Sequence, residues 1–314
     1  MFTKGSRLCK SRAFVTGATL NVHMTRRTLL SGAAALAAAN SVQAGPAAPT
    51  APRVATLDWA LLETLLTVGA NVVAAAELRQ FKDVVVKPDL PDGVADIGLR
   101  GTPNFEALRF ARPDVIFNSN FYAWADPLMS RIAPVESHSI YVASENPYTL
   151  AEQATIAIGE RLELPQARIM VDAVATRLDN LKRMITKDYG RPVLPINLGD
   201  ARHYRVFGSD SMFGEVLKRL GLMSAWHGAT SYSATAPMGI ETLASMPDAA
   251  LVLIPPHPQD AFEGLTRSAF WNALPAVREN RVLTLKSINP YGALPAARRF
   301  AELLAEGISG VRSR

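Results

Sequence analysis

Arg100 stands between Gly98 and Gly101, after a short strand-like run and before a helix that Thr102 and Pro103 are expected to start. A permanently charged side chain where a chain leaves a sheet is either a solvated surface residue or a donor facing a ligand. Other chemistry-bearing residues are less promising. Gly208-Ser209-Asp210-Ser211 is the nearest approach to a nucleophile motif, but it sits where a helix should begin, so Ser209, Asp210 or Ser211 is expected to cap that helix. His138, His203, His227 and His257 are scattered singly, without a second histidine at ligand spacing, and no protein-borne metal site is expected. The sequence holds no G-x-S-x-G elbow, no H-E-x-x-H and no Walker-type loop, nor a G-x-G-x-x-G after the first strand.

The elements that would position Arg100 follow an α/β alternation. Arg53 to Leu57 reads as a strand, Leu61 to Val68 as a helix closed by Gly69, and Asn71 to Ala75 as a second strand. A helix is expected from Pro103 to Phe110, and Asp114 to Phe117 has the unbroken apolar character of a buried parallel strand. From Thr149 to about Ile185 apolar residues recur at three- and four-residue spacing, behind the capping box Thr149-Leu150-Ala151-Glu152. Leu164-Pro165 interrupts the pattern once, which predicts a helix, a break and a longer helix. The alternation resumes with Pro192 to Leu198, Tyr204 to Phe207, a helix from Met212 to Leu220, and strands over Ala250 to Ile254 and Arg281 to Leu285. A terminal helix from about Leu294 to Ala305 closes the chain. The expected architecture is therefore an α/β fold of two lobes with mainly parallel sheets, residues 50–148 and 189–314, joined by a helical segment at 149–188. Ligands in such folds bind outside the carboxyl ends of the strands.

With 314 residues, 48% of them hydrophobic, the chain is long and apolar enough for a sizeable core. Its sequence pI near 9.4 does not point to nucleic acid. Lys4, Arg7, Lys10, Arg12, Arg26 and Arg27 occupy a region, residues 1–44, that has no acid, and they account for the whole excess of 33 basic over 28 acidic residues. That region reads as an export signal. Thr25-Arg26-Arg27-Thr28-Leu29-Leu30 is a twin-arginine pattern, Leu29 to Ala39 is an apolar run, and Val42-Gln43-Ala44 is a small-residue cleavage site. Met24 precedes the arginines, so residues 1–23 are expected to come from an over-extended start. The sole cysteine, Cys9, would leave with the signal, so no disulfide and no lipid attachment are expected in the mature chain. No later apolar stretch is long enough to span a bilayer. A freely soluble periplasmic protein, monomeric and without an integral membrane span, is the expectation.

Several segments resemble, in order, class III periplasmic binding proteins of iron-siderophore and cobalamin importers. They are RVATLDW at 53–59, DIGLRGTPNFEALRFARPDVIF at 96–117, SRIAP at 130–134, VFGSDSMFGEVLKRLG at 206–221, SAWHG at 224–228, FWNALPAVRENRV at 270–282 and PYGA at 290–293. The similarity runs from about residue 53 to 308 and is nearest to the ferric hydroxamate-binding members. It implies two α/β lobes bridged by a helix, no enzymatic activity, and transfer of a ferric chelate to an inner-membrane ABC permease with its ATPase. No cofactor is then bound directly, because the siderophore supplies the ligands to iron. By the same resemblance Arg100 and Tyr122 would donate to hydroxamate oxygens. Trp226 and Tyr291 would cover apolar parts of the ligand from the opposite lobe. Those members carry a second tryptophan where this chain has Ser233, beside Tyr232, and another where it has Val84, so a less aromatic pocket is implied, with Trp124 a replacement ring. Glu241 and Asp126, the latter beside Pro127, match or adjoin the acids that dock on the permease, though solvated acids at helix starts look the same. Cobalamin, haem or a catecholate siderophore remains open as the chelate, and an exported α/β enzyme is the remaining class.

Overall fold

The computed structural model describes residues 51–185, 189–230 and 238–312. Its first sheet is built from β1 (Arg53–Thr56), β2 (Asn71–Ala75) and β3 (Ala95–Asp96), then, after the small β4 (Gly98–Leu99) and β5 (Thr102–Pro103) hairpin, from β6 (Val115–Asn118) and β7 (Val135–Ser137). The five strands lie in the order β3-β2-β1-β6-β7, all parallel. Its central strands β1 and β6 are buried almost throughout, as a parallel sheet covered on both faces requires.

The second sheet comprises β8 (Val193–Leu198), β9 (His203–Val206), β10 (Met238–Gly239), β11 (Ala250–Leu253) and β12 (Val282–Thr284), in the order β10-β9-β8-β11-β12. Here β8, β11 and β12 pair in parallel and β10 runs with them, whereas β9 turns back antiparallel to both β8 and β10. The cause is the short Gly199–Arg202 connection, which cannot hold the crossover of a dozen or more residues that parallel pairing demands.

Between the sheets lie the helices Pro147–Arg161 and Gln166–Ile185, broken around Leu164-Pro165 as expected. Gly159 makes their close approach possible, since a Cβ there would lie 2.2 Å from Ala167 Cβ. The 20-residue second helix is about 30 Å long. It packs against the terminal helix Leu294–Arg312, which also touches the first helix, Trp59–Thr67. One continuous core consequently joins residues of both lobes, including Leu61, Tyr148, Val193, Phe213 and Phe300.

Two expected helix starts are corrected. Asn104, not Thr102 or Pro103, caps the Phe105–Phe110 helix, because Thr102 and Pro103 are taken up in the hairpin and the Asn104 side chain accepts from Ala107 N. Asn146, not Thr149, caps the Pro147–Arg161 helix: its side chain accepts from Thr149 N, and Pro147 supplies a first residue that needs no N–H partner. Ser211 is the cap of Met212–Arg219, accepting from Gly214 N at 3.0 Å, which leaves its hydroxyl in a structural role.

Candidate functional site

The carboxyl end of each first-sheet strand around the centre delivers a polar or aromatic residue to one rim. β1 leads into Asp58 and Trp59, β2 into Glu77, β3 and the hairpin into Arg100, and β6 into Ser119 and Tyr122. In the hairpin Gly98 pairs with Pro103 and Leu99 with Thr102, so Arg100 and Gly101 form its two-residue turn. Gly98 has φ +81°, a conformation glycine adopts without strain, and this turn is what swings Arg100 out of the sheet.

Arg100 is held on three sides. Its Nε donates to Glu77 Oε2 at 2.8 Å, its backbone N donates to Glu77 Oε1 at 3.0 Å, and its guanidinium lies over the Trp59 ring, 4.0 Å from the centroid. Trp59 is itself fixed by an Nε1 bond to Ala76 O at 3.0 Å and by an edge contact with Phe81. The Arg100 charge acts on the Tyr122 hydroxyl and favours its ionised form, although burial is the larger influence and pushes the phenol up. Asp58 lies behind the rim: Oδ1 accepts from Ala60 N and Leu61 N, and Oδ2 accepts from Ser119 Oγ at 2.6 Å. Burial raises its carboxyl above the ordinary range, against these bonds and the nearby Arg100 charge.

An aromatic path leads from Tyr122 to the other lobe. Phe121 meets Tyr122 edge-on and stacks on Tyr141 with centroids 6.1 Å apart, and Tyr141 meets Tyr291 at 5.9 Å. Tyr141 donates to Gly292 O at 2.7 Å, next to Tyr291. A second tie lies deeper, where Glu63 of the first helix accepts from Asn289 Nδ2 at 2.7 Å and from Ala293 N at 3.3 Å. Burial drives the Glu63 carboxyl up to about 8, outweighing the hydrogen bonds that favour the charged form, and Asp58 adds to the rise. Leu99, Phe121, Trp124 and Tyr291 remain exposed along this edge, more apolar surface than a rim facing only water needs.

The structure thus brings Arg100, Tyr122 and Tyr291 into one connected group. Trp226 stands apart from it, half-buried against the second lobe's own cluster around Leu194 and Ile196, with its Nε1 buried and unpartnered among the described residues. Trp124 makes no ring contact among the described residues and is exposed, so the ring that meets Arg100 is Trp59 instead. Val84 is buried in the core rather than set on the rim. Tyr232 and Ser233 lie outside the described residues. Asp126 is half-buried and accepts from the buried Asn118 Nδ2 at 2.6 Å, whereas Glu241 is exposed. Three of the histidines serve locally, His203 pairing with Asp200 and His138 and His257 lying against Phe117 and Phe262. Sequence reasoning missed Glu77, Trp59 and Glu63 as site-builders. The Asp58-Trp59 pair directly after a strand was a usable signal for Trp59, and nothing local marked Glu77 or Glu63.

A sequence profile described as periplasmic binding protein matches residues 54–288. The chain belongs to the periplasmic binding protein family. It is 29% identical over 259 residues to the iron(3+)-hydroxamate-binding protein FhuD of Escherichia coli (strain K12), covering 82% of this chain and 87% of that one. The crystal structure of the Fe3+-Desferal-bound siderophore-binding protein FhuD of Vibrio cholerae superposes with a TM-score of 0.79 at 25% identity, over 83% of this chain and 99% of that chain. The petrobactin-binding protein YclQ of Bacillus subtilis shares the fold, with a TM-score of 0.67 at 18% identity over 85% of this chain and 94% of that one. The class III family fold expected from the sequence is therefore the fold of the chain. No helix of the described residues is long and apolar enough to cross a membrane.

Proposed function

We propose that this protein binds a ferric siderophore of the hydroxamate type between its lobes and delivers it to the membrane permease of an ABC importer. The observation that carries the reading is the Arg100–Tyr122 pair on the carboxyl rim of a parallel sheet, joined by stacked rings to Tyr291 of the second lobe. Hydroxamate oxygens around ferric iron carry partial negative charge and lone pairs, and a fixed guanidinium with a neighbouring phenol is matched to them. The rings suit the apolar linkers of such a chelator. The named ligands of the Escherichia coli and Vibrio cholerae relatives support the same chemistry.

Iron enters this reading only as cargo, with its ligands supplied by the siderophore, and binding without turnover is the proposed activity. Trp226, Trp124, Tyr232 and Ser233 are proposed as further lining residues of the bound state. Glu241, and with it Asp126, is proposed to face the permease, and Glu241 is the better placed because its carboxylate is solvent-accessible. Export through the twin-arginine route, which carries proteins already folded, and a soluble periplasmic location complete the proposal.

Titrating the purified protein with ferrichrome, ferrioxamine, haem and cobalamin while following tryptophan fluorescence tests it. Trp59, in contact with Arg100, is a built-in reporter. Micromolar or tighter quenching by the ferric hydroxamates alone is the expected result. Response only to haem or cobalamin transfers the same site to another chelate, and no response to any ferric chelate overturns the reading.

A further inference from the structure

Glu77 is conspicuous on three independent grounds. It holds φ +54°, a left-handed conformation that a non-glycine residue adopts at a cost of about 1 kcal/mol or more. It stands at the N-cap of the Leu78–Val85 helix, a position that favours the shorter Asn, Asp, Ser or Thr, and makes no side-chain capping bond there. Both carboxylate oxygens are instead spent on Arg100, one on Nε and one on the backbone N. The backbone of Glu77 is itself tied to the hairpin, its N donating to Gly98 O at 2.8 Å. The pair is largely shielded, with side-chain exposures of 30% for Arg100 and 13% for Glu77.

Neutralisation, rather than orientation alone, is the consequence. A cation offered bare to the cleft would attract any anionic chelate, and the more strongly the more negative it is. Paired with Glu77, Arg100 keeps its Nη hydrogens as directed donors while the local charge falls to about zero. Its ion pair with Glu77 is the sole one it makes among the described residues. Trp59 beneath the guanidinium adds a cation–π contact without adding countercharge to the ligand side.

We propose that Glu77 is the specificity-determining residue of this site, cancelling the Arg100 charge so that ferric chelates with an electrically neutral iron–oxygen shell are accepted and strongly anionic ones are refused. This rests on the siderophore reading above. A ferric ion held by three hydroxamates has a neutral shell, whereas three catecholates leave it triply anionic, so the two chelate classes separate by charge at nearly equal size. Discrimination of this kind works by withholding attraction from the wrong ligand, not only by favouring the right one.

The test compares ferrichrome with a ferric tris-catecholate by fluorescence titration of the wild type, Glu77→Gln and Glu77→Asp. Glu77→Gln is expected to improve affinity for the catecholate relative to ferrichrome by about tenfold or more, equivalent to about 1.4 kcal/mol. Glu77→Asp keeps the charge and is expected to leave the ratio near that of the wild type. Equal changes for both chelates in Glu77→Gln, or an Asp variant that behaves like Gln, would reduce Glu77 to a geometric brace and overturn the proposal. Should the variants not fold, the wild type decides: a site whose net charge is about zero predicts catecholate affinity nearly independent of ionic strength, as for ferrichrome. A fall in catecholate affinity with salt would mean that the site attracts anions, contrary to the proposal. If the wild type binds neither chelate, the siderophore reading itself fails, a result distinct from an unchanged ratio.

Discussion

The carboxyl edge of the first sheet carries Asp58, Glu77, Arg100, Ser119 and Tyr122, joined to one another or to nearby backbone, whereas the second lobe offers Tyr291 and Trp226, aromatic rings with little polar company. The contrast follows from the sheets. In the first, five parallel strands send their carboxyl ends to one rim, so residues far apart in sequence converge there. In the second, β9 alone runs against the others, antiparallel to both its neighbours, so four strand ends face one way rather than five. A ferric chelate, polar at the metal and apolar on its linkers, is complementary to that asymmetry. On the proposed reading one lobe would grip oxygen and the other would cover carbon.

The tie between the two rims gives the largest expected effect. Glu63 has its carboxyl raised from an ordinary 4.5 to about 8 by burial, so the folded protein holds a proton that the unfolded chain releases near 4.5. Its contribution to stability is complete below the unfolded value and is lost as pH rises through about 8. Unfolding midpoints of the wild type should fall across that window, and Glu63→Gln, which cannot ionise, should flatten the slope. Identical slopes in the two proteins would show that Glu63 does not couple the lobes to pH. Asp58 is raised in the same direction and should supply a residual slope in both.

Next in size is the polar rim itself. Arg100→Ala should weaken ferric hydroxamate binding at least about tenfold, since a charge-assisted hydrogen bond shielded from water is worth ~1.5 to 3 kcal/mol. Calorimetric titration would check this, and an unchanged affinity would take Arg100 out of the site. Tyr291→Ala should cost less, ~0.5 to 1.5 kcal/mol, because a half-exposed ring contributes area and an edge contact but no charge. A loss at Tyr291 larger than that at Arg100 would invert the assignment of the two rims.

Much of this was legible before the fold was known, and the failures have identifiable causes. The apolar runs of β1, β6, β8 and β11 stand out because buried parallel strands need no alternation. Arg100 was placed at the end of a strand by Gly98 and Gly101. Glu77 was not legible: it lies 23 positions away, and the strand order that places β2 beside β3 is a tertiary fact. Glu63 and Asn289 are 226 positions apart. The Pro147–Arg161 helix starts ahead of the Thr149 capping box because Asn146 accepts from Thr149 N and the Pro147 ring is preorganised for the first helical position. Trp124 neighbours Tyr122 in sequence, but Tyr122 has φ −121° inside a 3₁₀ segment, a break in the helix that adjacency in sequence does not show.

The smallest effect on binding is expected at the two acids proposed to face the permease, and it separates them. Glu241 is exposed, so Glu241→Ala should leave siderophore affinity and the unfolding midpoint almost unchanged, within about 0.5 kcal/mol, while slowing uptake in permease-containing vesicles. Asp126 also holds the buried Asn118 amide, which in turn donates to Tyr122 O at 3.0 Å. Asp126→Ala should therefore lower the unfolding midpoint and disturb the Tyr122 segment, so that affinity and uptake fall together. If both variants lost uptake alone, Asp126 would belong with Glu241 on the docking face. If Glu241→Ala left uptake intact, the acid on the second lobe would be an ordinary solvated residue, and permease contact would have to be sought elsewhere on that lobe.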